Sequence, residues 1–156
     1  STKVWEVEQE IKKHLTDGLK NLENKYSCNY SENNNQRKSK IDLNKFADTL
    51  RSRAENASKS ACAKYVRIAL EAAGANTTGH PIAASDWGDT LINIGYKEIS
   101  ADFNHPIKGD IYIINKTKNH KYGHIAGYDG NQWISDFKQR SQVIYRDNVS
   151  YRYFRI

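Results

Sequence analysis

Apolar residues recur near the start of the chain at Val4, Val7, Ile11, Leu15, Leu19 and Leu22. Spacings of three and four place them on one face, so residues 3–26 are expected to form an amphipathic helix. The following stretch, SCNYSENNNQRKSK at 27–40, is nearly free of apolar side chains and reads as a polar linker. A second helix is predicted from Leu43, Phe46, Ala47, Leu50 and Ala54. A third begins near Ser60 and runs to Ala73, with Gly74 in place to end it. Ser85–Gly95 predicts one short helix capped by Ser85, with Trp87, Leu91 and Ile94 turned inward.

Beyond Gly95 the period changes. β-Branched and aromatic segments alternate with turn residues at Tyr96–Ile99, Asp110–Asn115, His124–Tyr128, Gln132–Phe137, Val143–Tyr145 and Tyr151–Ile156. Helices first and strands afterwards imply an α+β domain, its helices packed on one face of an antiparallel β-sheet. The division follows: 1–40 as an N-terminal amphipathic helix and polar linker, 41–156 as the globular domain.

Composition narrows the class. With 38% hydrophobic residues and 10 Tyr, 4 Phe and 3 Trp, the chain has the material for a core and is unlike a disordered segment. No apolar run approaches the roughly 18 residues of a membrane span, so membrane insertion is not expected, and no leader pattern opens the chain. The net charge of +6 suggests an anionic partner such as nucleic acid, a membrane surface or a bacterial wall. Nucleic acid is disfavoured, because the basic residues are scattered and neither an RNP-like aromatic pattern nor an Arg-rich helix is present.

Two cysteines, Cys28 and Cys62, are too few for a disulfide scaffold. Cys62 opens the predicted third helix, where the dipole favours thiolate and the unpaired Cys62 N–H can face a developing oxyanion. Alone among alanines it also suits a small buried position. A proton-accepting partner changes that reading, and His124, at the start of a strand, is the candidate base. Gly123 beside it leaves room for an extended substrate.

The third group depends on hairpin register around Asp129-Gly130-Asn131. A three-residue loop pairs Tyr128 with Gln132 and sets Asp136 opposite His124; a two-residue loop sets Phe137 opposite and Ser135 on the His124 face. Asp136 is preferred, since a carboxylate also stabilises imidazolium. His120 and His124 have metal-ligand spacing for a helix, but Gly123 and the strand pattern oppose one, so neither metal nor cofactor is expected.

The segments SACAKYVRIALEAAG, GDIYII and GHIAGYDGNQWISDFKQR, in this order, resemble the papain-like peptidoglycan hydrolases of the NlpC/P60 and CHAP type. YDGNQWISDFKQ is especially similar to amidase effectors delivered by type VI secretion. The resemblance implies a papain-like fold over 41–156, with Cys62 as nucleophile, His124 as base and Asp136 as the polar third residue. It implies hydrolysis of amide bonds in peptidoglycan stems or cross-links, with peptidoglycan as substrate and a cognate immunity protein as partner. It also implies synthesis in a bacterial cytoplasm, secretion, and action in the periplasm or wall of a target cell. Trp87, Tyr122 and Trp133 are the candidate substrate-binding residues. Competing readings are a papain-like protease or acyltransferase acting on proteins, an endolysin, and a non-catalytic cationic wall-binding module; the oligomeric state stays open.

Overall fold

The computed structural model describes residues 40–156. The expected N-terminal helix, and Cys28 with it, lies outside the described residues.

Helix α1, Leu43–Arg53, buries the expected stripe of Phe46, Ala47 and Leu50. Asp42 caps it, its carboxylate accepting the Lys45 N–H at 3.0 Å. Helix α2, Cys62–Ala72, turns Val66, Ala69 and Leu70 inward. Its end is a Schellman motif: Gly74, at φ 103°, donates to the Glu71 carbonyl, and Ala75 donates to that of Leu70. The short helix expected over Ser85–Gly95 is broken in two. A 3-10 turn, Ala84–Asp86, leads through Trp87 into α3, Gly88–Asn93. Ser85 makes no capping hydrogen bond, because it lies inside the 3-10 turn rather than ahead of α3. Trp87, Leu91 and Ile94 are nevertheless buried as expected.

Five strands follow: β1 Lys97–Ile99, β2 Ile111–Ile114, β3 His124–Tyr128, β4 Trp133–Ile134 and β5 Tyr151–Arg155. They form one sheet in the order β1-β5-β2-β3-β4. Every neighbouring pair is antiparallel. The α+β expectation, helices on one face of an antiparallel sheet, is met. Ile111, Ile113, Ile125, Ile134 and Phe154 share a core with the helices. The alternate residues Tyr112, Ile114, Ala126, Trp133 and Tyr153 point the other way into an aromatic cluster. Phe103, half-buried, packs against it, edge-on to Tyr112, Trp133, Tyr151 and Tyr153. Val143–Tyr145 is not a strand; Ile144 and Tyr145 instead lie against this aromatic face from an irregular segment.

Helix and sheet approach closely at Gly127. A Cβ there would stand 2.6 Å from Phe46 Cζ and 2.9 Å from Leu50 Cδ1. Gly127→Ala is therefore expected to destabilise the fold by about 1–3 kcal/mol through overpacking. Urea unfolding checks this: the midpoint falls while the slope stays constant.

Candidate active site

The approach to α2 is unusual. Ser60 has φ 57°, the only non-glycine residue in the left-handed region among the described residues. Ala61, the residue before the helix, offers no side-chain cap. The polar partner comes from the other end of the domain. Asp136, 1% exposed, accepts the Lys59 N–H at 2.6 Å and the Ala61 N–H at 3.1 Å through Oδ2. Its Oδ1 accepts the Ser135 hydroxyl at 3.1 Å.

His124 opens β3 and is nearly buried. Its Nε2 lies 2.8 Å from Gln139 Oε1. The Gln139 amide nitrogen donates to the Ser141 carbonyl at 2.9 Å and to the Tyr112 hydroxyl at 2.8 Å. A carbonyl only accepts, which fixes the amide's orientation and leaves Oε1 facing the imidazole. Nε2 then carries the proton, and Nδ1 is the basic nitrogen of the neutral ring. Tyr112 passes the chain on by donating to the Gln142 carbonyl at 3.2 Å.

Cys62, His124 and Asp136 line one cleft of about 300 Å³, with Ser58, Ser60, Tyr122 and Tyr145. His120 stands in its wall, stacked on Tyr145 at 3.5 Å and bonded to Asp147 at 3.0 Å. A second hollow shares Ser60, Cys62 and Tyr122 with this cleft and is lined further by Ala61, Ala63, Ile82 and Ala84. Cys62 is a free thiol.

Burial pushes the Cys62 thiol up, and the Asp136 charge adds to this; the N–H groups of Ile125, Ala63 and Cys62 pull the other way. Burial holds His124 below its ordinary value, with Gln139 and Asp136 opposing. Taken singly, both groups are neutral near pH 7, a thiol beside an imidazole. The sequence-based expectation has the helix dipole favouring the thiolate; in the fold, burial opposes that effect and the three N–H groups act with the dipole.

Several other expectations change. β3 and β4 pair Tyr128 with Trp133 and Gly127 with Ile134, so Tyr128 does not face Gln132 and Asp136 is not opposite His124. β4 ends at Ile134, and the chain turns so that the Ser135 N–H donates to the Phe137 carbonyl. Asp136 thereby reaches the cleft, but its hydrogen bonds go to the loop before Cys62, and Gln139 takes the imidazole. Nothing in the polar run FKQRSQ distinguishes Gln139 from its neighbours. Its role depends on where the chain turns after Ile134. Trp133 is 4% exposed inside the aromatic cluster, and Trp87 is 1% exposed with Nε1 donating to the Pro81 carbonyl. Neither ring is available to grip a substrate, whereas Tyr122, 59% exposed, lines both halves of the groove. The space beside Gly123 is occupied by the Ile114 carbonyl and Ser85, so this glycine serves close packing and not substrate approach.

The family model described as bacteriophage peptidoglycan hydrolase matches residues 35–148. No curated protein matches the chain. Among solved structures, the chain is similar to the native type VI effector–immunity complex Tae3–Tai3 from Ralstonia pickettii, with 34% identity and a TM-score of 0.63 over 72% of this chain and 97% of that one. The selenomethionine form of the same complex gives 34% identity and a TM-score of 0.61 over 70% of this chain and 98% of that one.

The buried, amide-held imidazole is expected to titrate below 6.5, the ordinary histidine value. In Gln139→Ala the His124 titration moves lower still, because the lost hydrogen bond favours the protonated ring. Stability falls by about 1–3 kcal/mol as Tyr112 and Ser141 lose a partner. Ring-proton NMR against pH and thermal unfolding measure the two effects.

Proposed function

The chain belongs to the bacteriophage peptidoglycan hydrolase family, and from that premise we propose that it is a cysteine amidase cutting peptide amide bonds of peptidoglycan, in the manner of type VI effectors. The observation that carries the cysteine mechanism is the meeting of Cys62 and His124 in one cleft, with Gln139 holding the imidazole in the tautomer a general base needs.

His124 takes the Cys62 proton as the sulfur attacks the amide carbonyl, giving a tetrahedral intermediate. The N–H groups of the first turn of α2, unpaired within the helix, are the donors we assign to the developing oxyanion. The imidazolium then protonates the leaving amine, and the thioester forms. Water, deprotonated by His124, releases the acid and restores the thiol. The ring must carry positive charge only transiently, which suits a buried histidine supported by an amide.

The groove favours an extended peptide. One half offers His120, Lys121 and Tyr145; the other is lined by alanines, Ile82, Tyr122 and Lys64. A stem peptide carries small aliphatic side chains and carboxylates, and both find partners here. The net charge of +6 draws the protein to an anionic wall, an attraction that salt weakens. The solved relatives are effector–immunity complexes, which supports a cognate immunity protein for this chain and action in the periplasm of a target cell.

Digestion of purified sacculi, with soluble products identified by mass, tests the proposal. The wild-type protein is expected to release stem-peptide fragments, and Cys62→Ala to release them on the order of 10⁴-fold more slowly or not at all. Gln139→Ala is expected to lower turnover roughly ten- to a hundredfold, at or below the lower end of what general acid–base catalysis contributes, because the base remains and only its orientation is lost. Fragments released equally well by Cys62→Ala overturn the cysteine mechanism. Intact sacculi of several chemotypes alongside a reactive Cys62 direct the activity towards proteins instead.

A further inference from the structure

We propose that Asp136 is a positioning residue for Cys62: its carboxylate clamps the Lys59 and Ala61 backbone and so holds the left-handed Ser60 turn that delivers Cys62 to the first position of α2. The proposal rests on the reading of Cys62 as the nucleophile.

Three observations converge on this role. The N–H groups of residues on either side of Ser60 meet at one carboxylate oxygen, at 2.6 Å and 3.1 Å. Successive N–H groups converging on one side of a turn make an anion-binding concavity, and here the anion is supplied by the protein itself. Ser60, at φ 57°, is in a conformation that a non-glycine side chain disfavours, so some interaction has to hold it there. Finally, the same two segments are joined a second time. The Glu55 N–H donates to the Asp136 carbonyl at 2.7 Å, Glu55 pairs with Phe137 in a parallel bridge, and the Tyr65 hydroxyl on α2 donates to Glu55 at 2.6 Å. The loop from 55 to 61 is thus tied to 136–137 at both ends, with Cys62 immediately following.

The carboxylate also sets the charge of the cleft. Cys62 and His124 face Asp136, Tyr145 and Tyr112, with the His120–Asp147 pair behind Tyr145 and Lys121 at the rim. Among the described residues, Asp136 is the carboxylate whose charge reaches both Cys62 and His124. Removing one negative charge lowers the proton affinity of every neighbour, whichever group titrates first.

The test is the pH profile of Cys62 alkylation by iodoacetamide in the full chain, read on the Cys62 peptide by mass so that Cys28 does not contribute. In Asp136→Asn both inflections are expected to move roughly 0.5–1 pH unit lower, and the plateau rate above the upper inflection, where Cys62 is fully ionised, to fall about tenfold through misplacement of the sulfur. Adding Ser60→Gly to that variant is expected to restore most of the rate, since glycine adopts positive φ without penalty, while the inflections stay displaced. Unmoved inflections, or a rate that Ser60→Gly does not restore, overturn the proposal. Should Asp136→Asn fail to fold, amide exchange in the unaltered protein decides: slow exchange at Lys59 and Ala61, in an otherwise exposed loop, supports the clamp, and fast exchange at both overturns it. The assay uses no peptidoglycan, so failure of the substrate reading leaves it intact. A wild-type Cys62 with one inflection at an ordinary thiol value marks failure of the nucleophile reading instead.

Discussion

Close packing of helix α2 on strand β3 is the contact from which the site follows. Val66, Ala69 and Leu70 share the core with Ile125, whose neighbour in sequence is His124. A helix that begins with a cysteine, laid against a strand that begins with a histidine, brings the two into one cleft without a dedicated loop. The contact tolerates little variation. Gly127 on the same strand is already against Phe46 and Leu50 of α1, so the helical layer has no room to shift over β3. β2, flanked by β3 and β5, is buried throughout its length, which fixes β3 in register from the other side.

Two buried polar networks then act at opposite ends of the sheet. At one end Asp110 accepts the Tyr153 hydroxyl at 2.6 Å and pairs with Arg155 at 2.8 Å, tying β5 to the entry of β2. At the other, His124, Gln139 and Tyr112 form a chain of neutral donors and acceptors that ends on backbone carbonyls. The first contains a matched charge pair and has a structural task. The second is uncharged at rest, and its members keep partners whether or not the imidazole takes up a proton.

The elements with a strong period were legible. The apolar stripe around Phe46 and Leu50, the glycine that ends α2, and β3 from His124 to Tyr128 are all where the pattern put them. Cys62 and His124 could be singled out because a helix start and a strand start carry local signals. The remainder was settled by tertiary contacts. Val143–Tyr145 has the composition of a strand, yet Ile144 and Tyr145 lie against the aromatic face from an irregular segment while Val143 stays exposed. Trp133 had to choose a side of the sheet, and its choice follows the β3–β4 register that the hairpin residues left open. Gln139 carries no local signal at all. It acquires a role because β4 stops after Ile134 and the chain folds back, making an isolated bridge between Ile134 and Lys138.

That early stop explains why an amide, and not a carboxylate, adjoins the imidazole. A carboxylate bonded to His124 in a dry site would need a compensating charge, and it would pull the ring towards a standing imidazolium. An amide aligns the ring and leaves it neutral, with Nδ1 basic. The negative charge lies one step away, where two backbone N–H groups and a serine hydroxyl stabilise it and where it braces the turn before Cys62. In the proposed mechanism it also favours the imidazolium that forms when the thiol gives up its proton. That the amide of Gln139 meets the imidazole while the carboxylate of Asp136 meets the loop before Cys62 thus follows from the point at which a two-residue strand ends.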